Sequence, residues 1–288
     1  MSEQPGYSSF ISEMGPGYEL IDVKDLSSGR YIGQGSVYKL IFIDRNTRAT
    51  VAYVLRQPVK SSIPIKKPVN EEFYSRYSEL FEKKPYWARL YNGLVFAEFV
   101  EGIESGKLID ELQIRREYQH LEEELIASFA YQAALADAVL KGDRDIGFSG
   151  VNDSEAPGNY KIELSSDGRH IVRVVSIDNE YVFNRKDRFT LESADKGYIE
   201  MSFLTLLSEY RNLDQRAALF NKFKRYYKEM KARIRNDKET VKDLIRRLYG
   251  EKEVKIFEAN LSRDTDVWLD WLFEKTQKFY SRRNRLFT

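Results

Sequence analysis

The chain has no cysteine, which excludes disulfides, cysteine-bound metals and thiol nucleophiles. Histidine is almost as scarce. His120 and His170 are the two in the chain, and neither has another histidine at metal-ligand spacing, so neither a zinc site nor a Ser-His-Asp triad is expected. Long apolar runs are also missing: no stretch approaches the roughly 18 to 20 apolar residues that a membrane-crossing helix needs. Residues 1–20 are polar, carry Pro5, Gly6, Pro16 and Gly17, and lack the basic flank and apolar centre of a usual secretory signal. Nor is charge of one sign in excess. Lys and Arg total 46 against 45 Asp and Glu, which gives no global reason to expect a nucleic-acid partner. The expectation is a soluble, cytoplasmic protein without a transmembrane segment.

What the chain does have is core-forming material. Hydrophobic residues make up 42% of its 288 positions and aromatics 14%, enough for one bilobal unit or two small domains rather than a disordered chain. From residue 29 to 56 the pattern is that of strands: Val37 to Ile43 and Ala49 to Leu55 alternate and are rich in β-branched residues, with a polar turn at Asp44-Arg45-Asn46. Val69, Phe73, Tyr77 and Leu80 then fall at helical spacing, which predicts an amphipathic helix from Val69 to Lys83. Ala88–Tyr91 and Leu94–Val100 read as strands turning at Asn92-Gly93, a strong hairpin dipeptide.

Beyond Gly102 the period changes. A long helical stretch is expected from Glu111 to Leu140, then a loop to Gly150, then a strand pair, Tyr160–Leu164 and His170–Ile177, around Ser165-Ser166-Asp167-Gly168. From Ile199 onward the pattern is helical, and no internal repeat or low-complexity tract occurs.

Two acidic motifs stand out, Gly142-Asp143-Arg144-Asp145 and Ser176-Ile177-Asp178-Asn179, with Asp143 and Asp178 35 positions apart. Carboxylates so placed at loop and strand ends suit the holding of Mg²⁺ against a triphosphate and the placing of an acceptor hydroxyl. Each motif alone also has a structural reading, the first as a capping loop and the second as an Asx turn. Upstream, Gly33-Gln34-Gly35-Ser36 could cradle phosphate oxygens on its backbone N–H groups, and is equally an ordinary tight turn.

The order of these features resembles a protein-kinase-like fold over about residues 29 to 185. It is most similar to the phosphatidylinositol 3/4-kinase branch, which includes the type II phosphatidylinositol 4-kinases and actin-fragmin kinase, on Gly142-Asp143-Arg144 and Ile177-Asp178-Asn179. The resemblance implies an α+β, bilobal fold: an N-terminal extension over 1–28, a small antiparallel β-rich N-lobe over 29–102, and a larger, mainly helical C-lobe over 103–288. It implies ATP and Mg²⁺ as cofactors.

In that scheme Asp143, with Arg144 and Asp145, forms the catalytic loop, and Asp178 holds the metal. The family's second metal ligand is an Asn five positions after the loop Asp, where this chain has Phe148; Asn152 is the first Asn available. Gly33, Gly35, Ser36, Lys39, Arg56, Glu72, Glu98 and Val100 fall on the nucleotide side. Arg56 stands where the family has lysine, keeping the charge but not the shape of an ammonium, and Glu72 is the expected orienting carboxylate. Transfer of the γ-phosphate to a hydroxyl of a protein or phosphoinositide follows. Nucleotidyl transfer on the same scaffold, or a non-catalytic interaction module, are the alternatives. The resemblance also suits a bacterial effector acting in a host cytosol.

Basic and aromatic residues interleave from Phe220 to Arg235 and again from Lys278 to Phe287. Such a helix can make peripheral contact with an anionic membrane, but the favoured reading packs its aromatics inward and leaves its charges solvated.

Overall fold

The computed structural model describes residues 10–11, 14–26, 35–58, 68–108, 118–141, 160–177, 179, 182–183 and 212–284. The chain divides into two compact units, Met1–Val100 and Glu101–Thr288. The first is built on an antiparallel sheet and the second is mainly helical, the α+β division expected from the sequence.

In the first unit, β1 (Tyr18–Asp25), β2 (Gly35–Asp44), β3 (Thr50–Pro58), β4 (Ala88–Tyr91) and β5 (Leu94–Glu98) form a sheet of order β1-β2-β3-β5-β4. Its turns follow from their residues. Asp44 accepts the Asn46 N–H at 2.8 Å, closing the β2–β3 connection. Asn92 and Gly93 both take positive φ, 49° and 80°, as a two-residue hairpin turn between twisted strands requires.

Register then sorts the side chains. Leu40, Phe42, Leu55 and Phe96 lie on one face and bury completely with Phe10. The ring of Phe10 stacks on that of Phe96, centroids 4.0 Å apart. On the opposite face, cross-strand pairing aligns Val37 with Arg56 and Arg56 with Val95. Helix α1 (Pro68–Ser78) buries Phe73, Tyr74 and Tyr77, and Ser75 Oγ accepts the Ala88 N–H at 3.0 Å, pinning it to β4.

Residues 18–25, expected to be part of an N-terminal extension, are instead the edge strand of this sheet, and Phe10 belongs to its core. The strand escapes a burial pattern because most of it is exposed, with Ile21 lying at an irregularity of register. Phe10 is hidden in sequence by its short, glycine- and proline-flanked surroundings.

In the second unit, β6 (Ile103–Glu104), β7 (Tyr160–Leu164) and β8 (Ile171–Ser176) pair antiparallel in that order. Gly102 leads into β6 where a Cβ would lie 2.8 Å from the Ile162 carbonyl oxygen, so the close approach admits only glycine. Helix α2 (Glu122–Ala138) carries the fully buried face Leu125, Ile126, Phe129, Ala133 and Ala136. The remaining helices are α3 (Leu213–Asn236), α4 (Lys238–Leu248), α5 (Glu251–Ser262) and α6 (Thr265–Asn284). A capping box starts α3: Asn212 accepts the Gln215 N–H, and Gln215 returns a bond to the Asn212 N–H. No helix among the described residues is long and apolar enough to cross a membrane.

Candidate functional site

The sequence-predicted site falls into three groups. Gly33, Asp143, Arg144, Asp145, Asn152 and Asp178 lie outside the described residues. Gly35 and Ser36 form the start of β2, where they pair with Pro58 and Gln57 of β3. Lys39, Arg56, Glu72, Glu98 and Val100 are described in full.

Arg56 anchors the first unit's polar centre. Its Nη1 donates to Glu71 Oε1 at 2.8 Å, with the Glu71 side chain fully buried and that of Arg56 one-fifth exposed. A buried carboxylate is tolerable when a cation and hydrogen bonds meet it, and here a strand cation meets a helix anion. The carboxylate facing Arg56 is therefore Glu71 and not the expected Glu72. Glu72 accepts from Arg76 Nε at 2.8 Å and from the Leu90 N–H at 3.2 Å, so it ties α1 to β4. One step along a helix turns a side chain by about 100°, and Glu71 shares its buried stripe with Ser75 and Ser78. Those two small inward-facing residues were the sequence signal for it.

Lys39 shares the Arg56 face of the sheet by register, and its Nζ sits 3.5 Å from the centroid of the Phe99 ring, a cation–π contact. Glu98 falls on the other face, where it holds β5 in place. Its N–H donates to the Trp87 carbonyl at 2.9 Å, and its carboxylate accepts the Trp87 N–H at 3.0 Å. Val100 is buried.

In the second unit the described residues bordering both acidic motifs are stitched together. Gln132 of α2 donates to the Val174 carbonyl of β8 at 3.0 Å, and the Phe183 N–H donates to the Val139 carbonyl at 3.0 Å. Just past α2, Leu140 takes a φ of 47° and Lys141 is buried, with Nζ 5.3 Å from the Tyr160 ring centroid. This is the chain's approach to Gly142-Asp143. At the end of β8, Asn179 is fully buried. It accepts from Ser176 Oγ at 2.8 Å and donates to the Ser176 carbonyl at 2.9 Å, tying it to the last residue of β8.

Asp137, in the last turn of α2, is buried and accepts from Tyr227 Oη and Arg263 Nη2. His170 Nδ1 lies 2.8 Å from Glu124 Oε1, and this carboxylate holds the imidazole pKa above its ordinary value. Burial pushes Glu124 upward, but the bonds from His170 and the Ile171 N–H outweigh it and leave the carboxyl below its usual range. Among the described residues no group of three His, Cys, Asp or Glu side chains is clustered for a metal.

The basic face of α3 follows the inward-packed reading. Phe220, Phe223 and Tyr227 are buried. Of the charges, Lys222 and Arg225 meet Glu123, while Lys224 and Lys228 meet Asp266. Acid partners so placed leave less free charge for an anionic membrane than the sequence suggested. The side chains of the second basic cluster, from Lys278 on, lie outside the described residues.

No protein-family model matches the chain, and no curated protein matches it in sequence. Among solved structures it is similar to the crystal structure of a Helicobacter pylori proinflammatory kinase, CtkA, at a TM-score of 0.45 and 12% identity, over 88% of this chain and 96% of that one.

Proposed function

We propose that this chain is an ATP- and Mg²⁺-dependent phosphotransferase that moves a γ-phosphate to a hydroxyl of a protein or a phosphoinositide. The observation that carries the reading is the Arg56–Glu71 pair, a cation on a central strand held at 2.8 Å by a buried carboxylate on the following helix. Protein kinases position a strand lysine through a helix glutamate in this way, and the pair must be intact for phosphoryl transfer. Arg56 offers the same charge with a planar fork of donors suited to phosphate oxygens.

The remaining roles rest on motif likeness. Asp143, flanked by Arg144 and Asp145, would orient the acceptor hydroxyl, and Asp178 with Asn152 would hold the metal. When bound, Mg²⁺ would offset charge on the β- and γ-phosphates. Gly33, Gly35 and Ser36 would offer backbone N–H groups to the phosphates, and Lys39 a second positive charge. The likeness to the phosphatidylinositol 3/4-kinase branch rests on the Asp143-Arg144 and Ile177-Asp178-Asn179 motifs alone, and the effector role on analogy with it. Support for bringing the two motifs together comes from the bonds that join α2 to β8 and residue 183 to residue 139.

Calorimetry of ATP binding with and without Mg²⁺, on wild type and Asp178→Ala, tests the site. Metal-dependent binding that the variant loses is the expected result, followed by transfer of labelled γ-phosphate to a protein or phosphoinositide panel. A folded wild type that binds no nucleotide would overturn the proposal in favour of an interaction module. A product heavier by a nucleoside monophosphate would replace it with nucleotidyl transfer.

A further inference from the structure

Strand β1 is an outer edge of the five-stranded sheet, and among the described residues no strand pairs with its outward side. Unpaired N–H and C=O groups on such an edge template further pairing unless charge, brevity or a bulge blunts them. β1 is blunted at one end only. Its irregularity of register lies between Leu20 and Asp22, and from Asp22 to Asp25 it runs regularly against Ile41 to Tyr38. Exposed apolar side chains gather along the same edge. Ile21, Val23 and Leu26 are 51%, 38% and 44% exposed, three of the seven large hydrophobic residues so exposed among the described residues.

The direction of the backbone follows from one bond, the Leu26 N–H donating to the Val37 carbonyl at 2.8 Å. Alternation along an antiparallel pair then assigns the bonds to β2 to Leu26, Lys24 and Asp22, and turns the N–H and C=O of Val23 outward. A second copy of the strand, running antiparallel, must pair symmetrically about one residue. Charge chooses that residue. Centring the regular run on Asp22 or Asp25 sets aspartate opposite aspartate, and centring it on Lys24 sets lysine opposite lysine, each a destabilising arrangement. Centring on Val23 sets Asp22 of each copy opposite Lys24 of the other, on one side of the sheet. Within the chain these two charges are only loosely joined, Lys24 Nζ to Asp22 Oδ2 at 3.7 Å with side chains 61% and 47% exposed. Both are therefore open to a partner.

We infer that β1 is a self-association edge, through which two copies of this chain join antiparallel about a twofold axis at Val23. The Val23 N–H of each copy donates to the Val23 carbonyl of the other, and the two sheets become one. Val23 lies opposite Leu40 in the register, so the two valines meeting at the axis extend the apolar face that carries Leu40 and Phe42. On the other side of the sheet, two Asp22 and two Lys24 alternate in a group of four. The run is short, which makes the association weak and dependent on concentration.

Sedimentation velocity of the full chain over a concentration series tests this, on wild type, Val23→Pro, Asp22→Lys, Lys24→Asp and an equimolar mixture of the last two. Val23→Pro deletes the outward N–H and spares the bonds to β2. Each charge variant alone brings like charges together across the axis, whereas in the mixture opposite charges face each other again. Reversible dimerisation of wild type is expected, weakened at least about tenfold by Val23→Pro and by either charge variant alone, and recovered in the mixture. Should Val23→Pro fail to fold, the charge variants, at exposed positions, carry the test. A folded wild type that stays monomeric throughout overturns the inference. A dimer that these substitutions leave unchanged overturns it by placing the contact elsewhere, and a mixture that does not recover overturns the register.

Discussion

Replacing Arg56 with methionine should destabilise the first unit by about 3 kcal/mol, from the general cost of about 3–5 kcal/mol for leaving one member of a buried ion pair behind. The lower end applies because the Arg56 side chain keeps one-fifth of its surface exposed, whereas that of Glu71 keeps none. The asymmetry makes the prediction sharper. Removing the arginine takes a cationic partner from a carboxylate that water does not reach; Glu71→Gln leaves a cation that water partly solvates and should cost only about 1–2 kcal/mol. The double variant Arg56→Met/Glu71→Leu, with both charges gone and the space refilled, should return close to wild type. Arg56→Lys should retain most of the stability while altering any phosphate geometry. Amide exchange at Val54, Leu55 and Phe96, on the paired strands β3 and β5, reads the unit's opening free energy. At roughly 1.4 kcal/mol per tenfold, Arg56→Met should speed exchange by about two orders of magnitude. Less than a tenfold change, or a larger effect from Glu71→Gln, would show that Glu71 does not depend on Arg56 for its charge and would sink the reasoning.

Gly102→Ala should cost about 1–3 kcal/mol, because its new Cβ would press to 2.8 Å from the Ile162 carbonyl oxygen; thermal unfolding checks this, and an unchanged midpoint would refute the close approach. Because the His170 pKa is raised in the folded state, its contribution to stability is complete below about pH 6.5 and is lost as pH rises through the folded value. The contribution of Glu124, whose pKa is lowered, is lost instead as pH falls through its own folded value, so the pair supports the fold between the two. Proton NMR should place the His170 midpoint above 6.5, and Glu124→Gln should bring it back; a midpoint insensitive to that change would rule out the pair in solution. Asn179→Ala removes two hydrogen bonds to Ser176 from a fully buried site and should cost about 1–3 kcal/mol. If phosphotransfer is found, the rate should drop with Asp178 still present, and full activity in a folded Asn179→Ala would separate the turn from the chemistry.

Where periodicity and turn chemistry act locally, the sequence was legible. Asn92-Gly93 specified its hairpin, alternation from Val37 to Leu55 specified β2 and β3, and the apolar stripe of Leu125, Phe129, Ala133 and Ala136 specified α2. What it did not show depended on other parts of the chain. β1 is read only through its partner β2, since its own residues are mostly exposed. Glu71 and Glu72 are adjacent acids, and only the strand and helix positions decide which one meets Arg56. The charges of α3 were read as solvated, and the pairing of Lys222 and Arg225 was hidden because their partner Glu123 lies about a hundred positions away.

The Ile177-Asp178-Asn179 motif shows how two readings of one signal divide between neighbouring residues. From sequence it was either an Asx turn or a metal site. Asn179 settles into the structural half: its amide is committed on both sides to Ser176, and it is fully buried. The metal-holding role proposed for the motif rests on Asp178, not on Asn179. That assignment turns a shared motif into a separable one, because Asn179 can be tested through stability and Asp178 through metal-dependent nucleotide binding.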